Sequence, residues 1–496
     1  MTLRTPARRS LLTALALFLL LPAGAAQGAA KQPPIDPGKL APGAKRMMFK
    51  FGPIHITPGQ NTIEIKPTMQ RPKVPGYITR FKPDLMRVDG SIPRVDILHL
   101  HHGVWVVDGR PTFAAGEEKS IITSPPGFGL KYSPKQNWLL NYMVHNLITS
   151  PDKVYLTYEI DFIPESRPES RAITPVTTQW LDAEGGKAYP VFDAKRSQAD
   201  ARGRMTYPDD VPDAYGGGPP RNEWVADRDL TIVQTVGHLH PGGLETFLTA
   251  RRGGRTVRLF TSKAHYWEPA GAVSWDAAMT ATPRTWRVAI KKGDVLAVHG
   301  TYDVRKASWY ESMAIMPIAV TAKPAGGLDP FTRSTDRPGH LTHGHLKEND
   351  VHGGGVPVLP DMTKVLDGPV SDTRVTIDSY VYGQGSMSLT GMPGRPPVVR
   401  RGASISFKNL DAKPSRNVFH TITACKAPCN RTTGIAYPLA DGPVDFDSGE
   451  LGFGPRGFTA AANVDEWKTP TNLPLGTYTY FCRVHPFMRG AFRVKD

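Results

Sequence analysis

The densest chemistry in this 496-residue chain lies in its last sixteen residues. There Cys482-Arg483-Val484-His485-Pro486-Phe487-Met488 offers a thiolate, an imidazole and a thioether within one turn. Upstream, Asn417-Val418-Phe419-His420-Thr421-Ile422-Thr423 places a second imidazole on a strand-like stretch. Two histidines and a cysteine with a weak axial methionine form the donor set of a blue-copper electron-transfer centre, because soft thiolate and thioether sulfur favour copper. The Cys-x-x-His-x-x-Met spacing lets three ligands converge on one ion from a single loop. The remaining cysteines, Cys425 and Cys429, flank Pro428 in a Cys-x3-Cys bend. In an oxidising compartment they are expected to close a small disulfide beside the His420 strand.

The run Tyr478-Thr479-Tyr480-Phe481-Cys482, continued by His485-Pro486-Phe487-Met488-Arg489-Gly490, resembles the C-terminal ligand loop of the cupredoxins, amicyanin and plastocyanin in particular. The resemblance covers roughly the last quarter of the chain. It implies that His420, Cys482, His485 and Met488 ligate one type 1 copper, and that residues 369–496 form a cupredoxin domain, a Greek-key β-sandwich. A multicopper oxidase carries histidines on both sides of its cysteine, where this chain has Phe481 and Arg483. Copper nitrite reduction normally uses a His-Cys dipeptide, which Phe481-Cys482 does not supply.

Fifteen histidines fall into clusters. His99-Leu100-His101-His102 follows the strand-like Val95–Leu98, His145 ends the apolar run from Leu139, and His238-Leu239-His240 follows Leu230–Val236. On a strand, residues two apart share a face, which pairs His238 with His240 and His99 with His101. The same parity puts His101 and His102 on opposite faces unless a bulge or strand end reorients them. Imidazole alone suits copper, zinc, iron or nickel.

Arg80-Phe81-Lys82-Pro83, the double histidine, Val144-His145, the His-x-His pair and a late methionine occur in an order that resembles the copper type II ascorbate-dependent monooxygenases, the family of peptidylglycine α-hydroxylating monooxygenase and dopamine β-monooxygenase. The likeness runs over roughly residues 45 to 322. It implies two β-sandwich, jelly-roll-like domains, 45–165 and 228–322, each holding one mononuclear type 2-like copper. Carried over by motif, His101, His102 and His145 hold the first copper; His238, His240 and Met313 hold the second, catalytic one, with Met316 as the alternative thioether. His99 is an extra histidine that leaves the first ligand set open. The chain also departs from the family. Its region has no cysteines, Val236 stands where the peptide hydroxylase has a substrate-anchoring arginine, and Ile315 and Pro317 stand where that enzyme has Asn and Tyr. A C-terminal glycine peptide is therefore not the expected substrate.

The elements that must hold these ligands read as strands. With 48 glycines and 47 prolines, the chain breaks into short Val/Ile/Thr/Tyr-rich stretches such as Thr62–Ile65, Val154–Tyr158 and Val375–Ile377. That pattern predicts an all-β protein of sandwich type. Pro164–Asp229 reads as an interdomain connection with surface loops, and 323–368 as a linker rich in histidine (His340, His343, His345 and His352). No repeat of solenoid or propeller period is present. Arg4, Arg8 and Arg9, the apolar Leu11–Leu21 and Ala23-Gly24-Ala25 make residues 1–30 an expected export signal, by the general secretory route ahead of the twin-arginine one. The expected location is secreted or periplasmic, with no membrane span after cleavage. A formal charge of +15 suits docking to an acidic partner; scattered Lys and Arg without interleaved aromatics exclude nucleic acid.

These readings converge on an exported copper protein: an O2-dependent monooxygenase that hydroxylates a C–H bond of an organic substrate, with a blue-copper electron donor fused in cis. Tethering replaces a diffusing reductant by a partner at about millimolar effective concentration. An external donor, a small reductant or an acidic redox protein, would feed the thiolate centre. The alternative is a non-enzymatic periplasmic protein that binds copper or carries electrons.

Overall fold

Alternating apolar residues and frequent Gly/Pro turns leave this chain little choice but strands. In the computed structural model, every element among the described residues is a strand apart from three short 3-10 turns at Pro168–Ala172, Arg196–Gln198 and Lys347–Asn349. The structure describes residues 33–496 other than 37, 61, 69, 149, 186, 269–270, 274, 351–359, 369–373, 388–393, 413–417, 426–443, 454–463 and 486. The expected export signal, His352 and the expected Cys425–Cys429 disulfide fall outside the described residues or side chains. No described helix is long and apolar enough to cross a membrane.

The first sandwich packs a four-stranded sheet, ordered Ile63–Pro67, Trp138–Asn146, Leu98–Val107, Arg110–Ala115, against one face of a nine-stranded sheet. Trp105 and Trp138 from the smaller sheet meet Phe81, Tyr158 and Phe162 from the larger one, all essentially inaccessible to water. Each such side chain contributes roughly 1.5–3 kcal/mol of burial. Both faces of Leu98–Val107 are covered, which is why its sequence runs apolar with histidines instead of alternating.

The nine-stranded sheet does not stop at the edge of the first sandwich. Thr174–Gln179 pairs in parallel with Phe128–Tyr132 and antiparallel with Ile318–Thr321, which in turn pairs with Leu230–Thr235. A segment that reads from sequence as connection and loops thus carries the strand that stitches the first two sandwiches together. The opposite layer of the second sandwich is built on Val295–Asp303, Gly243–Arg252 and Arg255–Tyr266. His340–Leu341 from the histidine-rich segment adds to its edge against Ala277–Ala281.

Among the described residues, the third sandwich consists of two four-stranded sheets. One runs Val381–Tyr382, Arg374–Asp378, Ser406–Asn409, Glu466–Lys468; the other runs Val398–Arg400, Arg489–Lys495, Gly476–Phe481, Thr423–Cys425. Phe407, Ile422, Tyr480 and Phe492 fill the space between them together with Cys482 and Met488. Residues Pro34–Asp496 form one compact unit, and Phe481 and Val444 of the third sandwich reach into the core of the second.

Candidate metal centres

The C-terminal centre is assembled where Gly476–Phe481 ends. Phe481 is the last paired residue, so Cys482 leaves the sheet and the chain curls into a tight loop. The Met488 amide donates to the His485 carbonyl (2.9 Å), and the Cys482 amide donates to the Met488 carbonyl (3.1 Å). This closes the Cys-x-x-His-x-x-Met spacing on itself. Across the sandwich, His420 is held by a bridge to Leu451. Sulfur and imidazoles then converge: Cys482 Sγ lies 3.8 Å from Nδ1 of both His420 and His485, and the two Nδ1 atoms are 3.1 Å apart. Among the described residues this is the one trio of His, Cys, Asp or Glu whose ligand atoms all lie within 4.8 Å of one another. Met488 is buried in the same core cluster.

The surroundings prepare these donors for a cation. Burial pushes the Cys482 thiol up, but His420 and His485 outweigh it and hold it well below the usual thiol range, as a thiolate. The Thr421 and His485 amides point at the sulfur from 3.4 and 3.3 Å. His420 Nε2 is 3.0 Å from Asp411 Oδ2, with both side chains fully buried. A carboxylate on the far nitrogen of an imidazole fixes its orientation and raises its basicity as a ligand. Asp411 is itself pinned by the amides of Ser379 and Tyr380, whose φ angles of 53° and 63° turn both N–H groups toward it. The Tyr380 ring meets both imidazoles edge-on at centroid distances of 5.7 and 5.1 Å. Neither Asp411 nor Tyr380 stands out in the sequence, because a second partner on a histidine leaves no spacing signature.

The upstream histidines meet in a second, larger group. His99 opposes His145 across neighbouring strands, and the register slips between Leu100 and His102. The bulge at His101 is the reorientation that parity required: it puts His101 and His102 on the face shared by His99 and His145. Ring centroids of His101 lie 4.5 Å from His145, 5.8 Å from His102 and 4.6 Å from His240, while His99 is 4.8 Å from His145. Histidines assigned from sequence to separate domains thus stand ring to ring. Trp275, unremarked in the sequence, packs on His99, His101 and His240 at 5.3, 5.4 and 4.8 Å.

Burial holds this group neutral. It takes His99 down to about 3 and His102 to about 4, and it lowers His101, His145 and His240 well below the ordinary value with help from neighbouring imidazoles. Neutral imidazole is the form that ligates metal. Both ring nitrogens of His145, Nδ1 of His101 and Nε2 of His240 are buried without a hydrogen-bond partner. Each such group costs roughly 1–3 kcal/mol when unsatisfied, a cost that a bound metal ion would remove. The donors are of the type a metal needs, although no three of these nitrogens lie within 4.8 Å of one another as the C-terminal trio does.

The other predicted ligands face a different space. His102 Nε2 is 3.1 Å from Asn141 Oδ1, and His238 Nδ1 is 2.9 Å from Glu118 Oε1. His102, His238 and Met313 all border a cavity of about 380 Å³, whereas His240 does not. Met313 is tied through its backbone to Tyr302, whose hydroxyl accepts from the His240 amide at 3.2 Å and donates to the Met313 carbonyl at 2.6 Å. Gly242 makes the turn after His240 possible: its φ is 88°, and a Cβ there would lie 2.3 Å from the Trp309 ring. The alternative thioether, Met316, is buried in the second core instead. In the histidine-rich segment, the His343 ring bonds the Glu118 carbonyl, and His345 Nε2 pairs with Asp350 at 2.8 Å.

No family model and no curated protein matches this chain. Among solved structures it is similar to a Cu(I) form of an amicyanin mutant, at 20% identity and a TM-score of 0.14, over 28% of this chain and 91% of that one. It is also similar to a copper-containing nitrite reductase from Thermus scotoductus (13% identity, TM-score 0.16), over 55% of this chain and 59% of that one. A third likeness is to tandem modules of a family 98 glycoside hydrolase from Streptococcus pneumoniae (9% identity, TM-score 0.15), over 54% of this chain and 83% of that one.

Proposed function

We propose that this chain is an exported copper oxidoreductase in which the Cys482 centre passes electrons to an O2-dependent hydroxylating centre at the upstream histidines. The observation that carries the reading is the burial of two distinct donor sets in one compact unit: a soft His420–Cys482–His485 set and an all-imidazole cluster. They are close to each other. His240, Thr421 and Val484 line one small void of about 20 Å³, so the imidazole cluster and the residues flanking the thiolate centre share a wall.

Copper would supply the one-electron steps and the activation of dioxygen. The protein's part is to position and to exclude water. His420, Cys482 and His485, with Met488, would hold a type 1 ion away from solvent, which suits repeated electron transfer with little reorganisation. His101, His102 and His145, supplemented by His99, would hold a second, type 2-like ion. His238 and Met313, at the cavity wall, with His240 reaching in from the imidazole group behind them, would hold the third, and Glu118 orients the His238 ring. In the net reaction one C–H bond becomes C–OH and the other oxygen atom leaves as water. Two electrons and two protons enter from an external reductant or an acidic redox protein.

Copper counting, visible absorption and EPR on the purified full chain test this. About three coppers are expected, one of them blue, and Cys482→Ser should remove the blue absorption and one copper equivalent. A single copper overall would overturn the reading. So would dioxygen consumption by the reduced protein that no added C–H compound ever couples to product.

A further inference from the structure

The cavity of about 380 Å³ beside His238 and Met313 has a composition that speaks to what enters it. The first sandwich contributes Ile78, Phe81, Val104, Val106 and Phe113, and the second contributes Ile318. Three charged side chains also border it, Arg80, Glu118 and Lys187, and each makes a polar contact within the protein. Arg80 Nη1 is 2.6 Å from Glu159, Glu118 Oε1 is 2.9 Å from His238, and Lys187 Nζ is 2.5 Å from Glu184. A charged ligand entering here would lose its hydration against a largely hydrocarbon wall, a large penalty in an apolar pocket. A hydrocarbon surface pays no such penalty and gains about fourfold in affinity for each methylene buried. Lys187 and Ala188 are exposed at the cavity rim, which gives a ligand a way in from solvent.

We infer that this cavity receives an uncharged lipophilic small molecule, a hydrocarbon body bearing at most one hydroxyl, and presents it to His238 and Met313. The inference rests on the hydroxylating role proposed above for that wall, and it names the class of substrate. Val236 itself borders the cavity and adds to its apolar wall.

Calorimetric titration of the full-length, copper-free protein with 1-octanol, 1-decanol, decanoate and decylammonium tests it. The expected result is one saturable site that binds 1-decanol about fifteenfold more tightly than 1-octanol, and at least tenfold more tightly than either charged ligand. Val106→Lys, at a half-buried wall position, should weaken 1-decanol at least tenfold and make decanoate the preferred ligand. Retained blue absorption after copper loading shows that this variant folds. Ala188→Trp, at the exposed rim, should weaken 1-decanol severalfold without any change in the core. Equal binding of neutral and charged ligands, no saturable site, or an unchanged preference in Val106→Lys overturns the inference. If 1-decanol binds as described but is never oxidised by the reduced, copper-loaded protein in O2, the hydroxylase reading falls while the cavity assignment stands. Oxidation of some other C–H compound without any binding of 1-decanol sinks the cavity assignment alone.

Discussion

At the scale of single residues, much of the proposed metal chemistry would depend on groups that touch the candidate ligands from behind. Asp411 holds His420 by its far nitrogen while two backbone amides hold Asp411. Asp411→Asn keeps the shape but removes the charge, so the blue absorption should persist while copper affinity falls by about 10- to 100-fold. Competition with a chelator, followed by visible absorption, measures this. The buried imidazoles make a separate prediction for the metal-free protein. His99 and His102 fold with values of about 3 and about 4, against about 6.5 when unfolded. Between about pH 6.5 and 4 the unfolded chain binds more protons than the folded one, so this stability is present above 6.5 and is lost on acidification. Moving metal-free protein from pH 7.5 to pH 5 should lower Tm by about 5 °C. The same shift after His99→Phe with His102→Phe should be distinctly smaller.

At the scale of elements, bulges and junctions decide what the histidines can do. The bulge at His101 lets consecutive imidazoles share a face. The interface of the second and third sandwiches is fastened beside the ligand loop. There the buried Arg483 donates to the Ser308 carbonyl at 2.6 Å and to Asp447 at 2.9 Å, and it lies over Trp309 at 4.7 Å. Val444 and Lys306 add a backbone hydrogen bond at 2.9 Å. Arg483→Ala leaves Asp447 buried and uncompensated, which should cost roughly 3 kcal/mol, read from the urea midpoint of the copper-free protein. On the other side, Tyr380 donates its hydroxyl to the Pro58 carbonyl of the first sandwich, so the aromatic ring beside the thiolate centre is also a clamp between sandwiches.

At the scale of the molecule, these junctions would make the proposed electron transfer an internal event. One sheet runs through the first two sandwiches, and the third is clamped to both. Re-oxidation of the reduced blue centre by the upstream centres should therefore be first order, with a rate constant unchanged over a tenfold range of protein concentration. Rapid-mixing absorption at the blue band checks this, and a rate proportional to concentration would mean that transfer runs between molecules.

How much of this was legible follows from how far each feature reaches along the chain. The all-β class is written in local Val/Ile/Thr/Tyr runs between Gly and Pro. The soft donor set is written in a seven-residue loop plus one strand histidine, and the folded geometry brings His420, Cys482 and His485 together. Neighbouring ligands on one loop need no long-range information. The meeting of His240 with His101 did need it, because chain order assigns them to separate domains and only the packing of the two sandwiches brings their rings together. Asp411, Tyr380, Trp275 and Arg483 carry no spacing signal at all, since each acts through a contact made from a distant part of the chain. The residue types alone thus determined which chemistry is available: soft thiolate, thioether and many imidazoles. Tertiary structure decided which imidazoles share a space, which face an apolar cavity and which stand near the thiolate, because those are consequences of strand register and sandwich packing.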